Sequence, residues 1–154
     1  MFYNFVNQKK RYGVTYIPSQ ACLGLLKLYD VFKDERYINS VELAVKYYEK
    51  VWDNAVMVYG NIASKIISPS WLMQVTYKMY LLKREEYYKI FTFKLGDWLL
   101  TKSVFIIKNP KYNGMGAATF MEGLTDSYEL AKIVGDKYRM NKYKNAIKIG
   151  YYNV

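Results

Sequence analysis

No histidine occurs in the 154 residues. That absence removes Ser-His-Asp hydrolysis, Cys-His nucleophiles, imidazole zinc sites and imidazole proton shuttles. Acid–base chemistry is left to Asp, Glu, Tyr and Lys. Cysteine is almost as scarce: Cys22 stands alone, which excludes an internal disulfide and agrees with a reducing compartment. Set in an apolar helical run, it reads as a buried structural thiol. Long hydrophobic runs are missing too, since "VFII" at 104–107 falls far short of the ~18 apolar residues that span a bilayer. The start, "MFYNFVNQKKRYG", puts its basic cluster after its apolar residues, the reverse of a secretory signal. A cytoplasmic chain with no membrane partner is the expectation.

Acidic residues are few, 13 against 23 Lys and Arg, for a net charge of +10. Such a balance raises nucleic acid as a partner. The positive residues are mostly Lys spread singly along the chain. Only four are Arg (Arg11, Arg36, Arg84 and Arg139), and the one tight cluster is "KKR" at 9–11. Phosphate recognition recruits Arg forks or a concentrated stripe, so nucleic acid is not an expected partner. Lys144 and Lys148 read as the solvated face of a helix.

What is present is a helical pattern. The hydrophobic share is 52%, enough for a core in a chain of one-domain length. Three stretches resemble one another: 21–48, 71–100 and 121–152. Each has an apolar helical segment, a charged break ("KDERY", "KREEYY", "GDKYR") and a second amphipathic segment. Tyr29, Tyr80 and Leu130 recur about 50 residues apart, the length of a helical-hairpin repeat. Helical spacing marks six stripes: Ala21, Leu25, Leu28 and Phe32; Tyr37, Val41, Ala44, Tyr48 and Val51; Leu72, Val75, Met79 and Leu82; Tyr88, Phe91, Leu95 and Trp98; Leu124, Tyr128 and Ala131; Tyr143, Ala146 and Gly150. Ser19 and Asp34 are expected to cap the first two helices, with Ser68-Pro69 opening the third. Gly135 is expected to end the fifth and Asp136 to cap the sixth. The fold expected is all-α, three antiparallel hairpins in a single domain over 1–154. Longer loops are expected near 53–67 and 102–117, and "KSVFII" at 102–107 is the one strand-like stretch.

The segment "YIPSQACLGLLKLYDVFKDERYINSVELAVKYY" resembles the repeating unit of α/α-toroid proteins: six-hairpin glycosidase-like enzymes, N-acylglucosamine 2-epimerases and glucuronyl epimerases. Pro18, Gln20, Ala21, Leu28, Tyr29, Asp34 and Tyr37 match the pattern, with Ser19 where glycine is usual. "SPSWLMQVTYKMY" and "TFMEGLTDSYELAKIVGD" look like the openings of the next two inner helices. A closed ring of six hairpins needs roughly 300 residues at ~50 per repeat, so a fragment or an open half-toroid is expected, with an apolar flank that invites self-association.

The resemblance implies that alternate helices line the inside and that their N-termini form a saccharide-binding cleft. Carried onto this chain, it gives Tyr16, Gln20, Tyr59, Trp71 and Gln74 as substrate-binding residues and Glu122 and Asp126 as acid–base carboxylates. No cofactor and no metal ion enter this reading. The ligand class is a saccharide or uronate, whose carboxylate a helix N-terminus favours. Thr119-x-x-Glu122 also has capping-box spacing, in which Glu122 only bonds a backbone N–H. Glu122 and Asp126 lie one turn apart on one wall, whereas glycoside hydrolysis needs carboxylates on both sides of the bond. Hydrolysis by this chain alone is therefore not expected. The alternative to a carbohydrate-related protein is a non-catalytic helical-repeat interaction module.

Overall fold

The computed structural model describes the backbone of residues 2–3, 10–11, 17–59, 68–108 and 114–152, and the side chains of 17–58, 68–101 and 118–150. Among them are six helices: α1 (Ile17–Phe32), α2 (Glu35–Tyr59), α3 (Pro69–Lys83), α4 (Glu86–Lys108), α5 (Gly114–Val134) and α6 (Lys137–Tyr152). Two two-residue strands, β1 (Phe2–Tyr3) and β2 (Lys10–Arg11), pair antiparallel, with Phe2 opposite Arg11 and Tyr3 opposite Lys10. The all-helical expectation holds for the rest. The chain divides into two compact units, Met1–Ser68 and Pro69–Val154.

Helices are joined within the units by the charged breaks. At each break one residue takes the left-handed conformation: Lys33 (φ 54°), Arg84 (φ 57°) and Gly135 (φ 74°), spaced 51 residues apart. The residue after each is acidic, Asp34, Glu85 or Asp136. Asp34 accepts the N–H of Arg36 at 2.9 Å and Asp136 that of Arg139 at 2.9 Å. Both aspartates therefore cap α2 and α6 as expected. Arg36 also clamps the Asp34 carboxylate, and its hydrogen bonds hold that carboxyl below its usual range. At Gly135 the ending is a Schellman motif. The Asp136 N–H reaches the Ala131 carbonyl at 2.9 Å and the Gly135 N–H that of Lys132 at 3.2 Å. Pro69 opens α3, where its missing N–H costs nothing.

Several expectations are corrected. Ser19 does not cap α1; it lies inside the first turn, buried, because the helix already begins at Ile17 with Pro18 preset for it. Residues 53–59 extend α2, and 102–108 extend α4, so "KSVFII" is helix rather than strand. Residues 114–117 open α5. The buried row of α1 is Ser19, Cys22 and Leu26, while Phe32 and Leu28 are exposed. "ACLGLL" is apolar on two adjacent rows, and the period alone does not choose between them. On α2 the buried row is Ile38, Val41, Val45, Trp52 and Ala55.

In the second unit the core is formed by Leu72, Val75 and Met79 of α3, Tyr88, Phe91, Leu95 and Leu99 of α4, Leu124, Leu130 and Ala131 of α5, and Tyr143 of α6. Two buried hydroxyls tie neighbouring helices inside it. Thr92 Oγ1 donates to Thr76 Oγ1 at 2.7 Å between α4 and α3, and Ser127 meets Met73 Sδ at 3.3 Å between α5 and α3. Helix α3 packs alongside α5 with both chains running the same way, since Ser70 lies against Gly123 and Met73 against Ser127. Alanine at 123 would place its Cβ 2.9 Å from the Ser70 carbonyl oxygen and 3.0 Å from its Cα, so glycine lets these two helices touch backbone to backbone. Helix α4 similarly approaches α5 and α6 at Gly96, beside Ser127 and Tyr143.

Candidate functional site

The close approach of α3 and α5 creates a seam of polar and aromatic side chains. On α3, Trp71, Gln74 and Lys78 follow at helical spacing, with Tyr77 beside them. On α5, Glu122, Asp126 and Glu129 do the same. Gln74 Nε2 donates to Glu122 Oε2 at 3.2 Å across the seam. Glu122 is not part of a capping box, because Thr119 lies well inside α5, where the helical ladder already occupies its N–H. The carboxylate instead faces solvent and a neighbouring amide.

One turn further on, Asp126 is half-buried. Burial pushes its carboxyl up to about 6, helped by the charges of Glu122 and Glu129 and opposed by Lys78. Its neighbour Tyr77 is held above the usual phenol range by burial and then by the charges of Asp126 and Glu129. The seam thus offers one carboxylate bonded to an amide, one carboxyl raised to about 6, and two aromatic rings. That combination can accept and donate hydrogen bonds to hydroxyl groups and exchange a proton near neutrality. Tyr77 and Lys78 carried no sequence signal for the site. Their part depends on α3 and α5 being neighbours, with about 48 residues between them.

The other sequence candidates fall elsewhere. Gln20 is exposed on α1, in the first unit. Tyr16 and the side chain of Tyr59 lie outside the described residues. Glu122 and Asp126 sit two to three turns inside α5 rather than at its start, because the helix begins at Gly114.

A cleft of about 480 Å³ lies away from the seam, lined by Lys89, Phe93, Lys94 and Asp97 of α4 and by Asp136 and Arg139 at the start of α6. Its charges are mostly spent on one another. Asp97 accepts from Arg139 Nε at 3.0 Å, Lys142 Nζ at 3.0 Å and the Tyr143 hydroxyl at 3.1 Å. Arg139 also bonds Asp136 at 2.8 Å and stacks over Phe93, 4.7 Å from the ring centre. Burial, then the Asp97 charge, keeps the Tyr143 phenol protonated well beyond its usual range. This network joins α4 to α6 and is structural. The seam, with its raised carboxyl, is the better candidate for chemistry.

Among the described residues, no group of three or more His, Cys, Asp or Glu side chains is placed to hold a metal ion. No described helix is long and apolar enough to cross a membrane. Burial raises the Cys22 thiol to about 11, so it is inert at neutral pH. Comparison with protein-family models, curated proteins and solved structures finds no match to this chain.

Proposed function

We propose that this chain is a carbohydrate-related protein of the α/α-toroid kind, built from three helical hairpins, whose saccharide-binding face is the α3–α5 seam. The observation that carries the reading is Gln74 hydrogen-bonded to Glu122 with the half-buried Asp126 one turn away. Trp71 and Tyr77 supply ring faces for the apolar side of a pyranose, and Gln74 and Glu122 supply hydroxyl partners. Asp126 is the group that holds or moves a proton. The 51-residue recurrence of the left-handed turn residue supports a repeated hairpin unit. Because Glu122 and Asp126 share one wall, the reaction class is proton transfer or binding rather than glycoside hydrolysis by this chain alone.

The test is calorimetric titration of the chain with neutral and uronate oligosaccharides, repeated on Trp71→Ala and Glu122→Gln. Saturable binding that falls at least tenfold in both variants supports the reading. No binding, or binding indifferent to both changes, refutes it. A second reading, a helical-repeat interaction module, is favoured by the apolar residues left exposed on α2, where Leu43 is 71% and Met57 78% accessible.

A further inference from the structure

We infer that the outer face of α6 is a peripheral docking surface for anionic lipid bilayers. The helix carries Lys137, Arg139, Lys142, Lys144 and Lys148 and no acidic residue. Tertiary structure sorts these five cations into two sets. Arg139 and Lys142 turn to Asp97 and Asp136 and are consumed there. Lys137, Lys144 and Lys148 are exposed, and none has an acidic partner among the described residues. At 3.6 residues per turn they fall within a sector of about 40° and span about 16 Å along the axis. Residues that look scattered in the sequence therefore form one straight row. Asn141 lies in the same row, and Tyr138 (74% accessible) and Ile149 (41%) lie along one flank, near its two ends.

The partner follows from the shape and the head groups. The opposite side of α6 is occupied, with Tyr143 and Gly150 buried in the second unit, so among the described residues of α6 no broad apolar face is free to sink into acyl chains. What remains is a convex row of ammonium groups with two shallow anchors. Ammonium is a compact charge that needs no paired geometry, which suits a plane of diffuse negative charge. Nucleic acid favours guanidinium forks, and the one arginine on this helix is occupied by two aspartates. A flanking tyrosine is at home at head-group depth. For this face the proposal replaces the expectation of no membrane partner, and it is independent of the saccharide reading of the α3–α5 seam.

The test is cosedimentation of the whole chain with vesicles of phosphatidylcholine alone and of phosphatidylcholine mixed with phosphatidylserine. Binding is expected only to the mixed vesicles, and it should weaken as salt rises. Each surface lysine contributes roughly fivefold, so Lys137→Gln, Lys144→Gln and Lys148→Gln together should weaken binding roughly 100-fold. The three sites are solvated, so circular dichroism of the triple variant should match the parent. Tyr138→Ala should give a smaller loss that salt does not mask. Failure to bind the mixed vesicles overturns the proposal, as does equal binding by a folded triple variant. Displacement from the vesicles by a single-stranded RNA of equal total charge overturns it in favour of a nucleic-acid surface.

Discussion

Replacing Gly123 by alanine adds one methyl group where α5 lies on α3. The new Cβ would stand 2.5 Å from Met73 Cε, 2.9 Å from the Ser70 carbonyl oxygen and 3.0 Å from Ser70 Cα. The methionine end can swing away, because its chain is flexible. Ser70 cannot: it belongs to the first turn of α3, so relief requires moving a helix by several tenths of an ångström. Overpacking of this kind costs about 1–3 kcal/mol, while Gly to Ala inside a helix returns about 1 kcal/mol of propensity. The net expectation is a loss of up to about 2 kcal/mol, with lengthening of the Gln74–Glu122 bond of 3.2 Å. Gly24 supplies the control. It sits inside α1, and a Cβ there would meet no heavy atom within 4 Å, so Gly24→Ala should stabilise by about 0.5–1 kcal/mol. In a chain of this size each kcal/mol moves Tm by about 2–4 °C. Because the two glycines lie in different units, amide exchange resolved by unit should accompany the melts. A Gly123→Ala chain that gains stability as Gly24→Ala does, or a destabilised Gly24→Ala chain, would refute the packing argument.

Gly135→Ala meets no neighbour within 4 Å, yet its φ of 74° should make it cost about 1 kcal/mol in urea denaturation; Lys33→Gly, at φ 54°, should instead gain several tenths. The Asp126 carboxyl is raised from 3.8 to about 6 on folding, so between those values the folded chain binds more protons than the unfolded one. Stability should therefore fall as pH rises from about 4 to about 6, and Asp126→Asn should remove that slope. Allowing for its partial exposure, the variant should gain on the order of 1 kcal/mol at pH 7 and nothing below pH 4. Glu122→Gln should lower the Asp126 midpoint in an NMR titration, since the Glu122 charge helps to raise it. Asp97→Ala strips the acceptor from Arg139, Lys142 and Tyr143 and should cost about 2–3 kcal/mol by urea denaturation, whereas Tyr143→Phe, removing one donor, should cost about 1 kcal/mol.

The sequence alone determined the local features. Asp34, Pro69, Gly135 and Asp136 mark helix ends because each acts within a turn of its own position. Six helices follow from apolar residues recurring at helical spacing. Phase and extent were another matter. Cys22 and Leu26 face the core of α1 rather than Ala21 and Leu25, and α2 continues to Tyr59 with Trp52 and Ala55 buried on it. Those choices depend on which neighbour offers apolar surface. The site divides in the same way. Gln74, Glu122 and Asp126 were visible as residue types, but the start of α5 at Gly114 decided that Glu122 is no cap, and the glycine contact at Gly123 brought it to Gln74. The meeting of Asp97 with Arg139, Lys142 and Tyr143 left no mark in the sequence, nor did the division of the α6 cations into a spent set and an exposed one. Spacing along a chain records which side chains share a helix face; which faces meet, and so which charges are cancelled and which carboxyl loses its water, is fixed only when the helices pack.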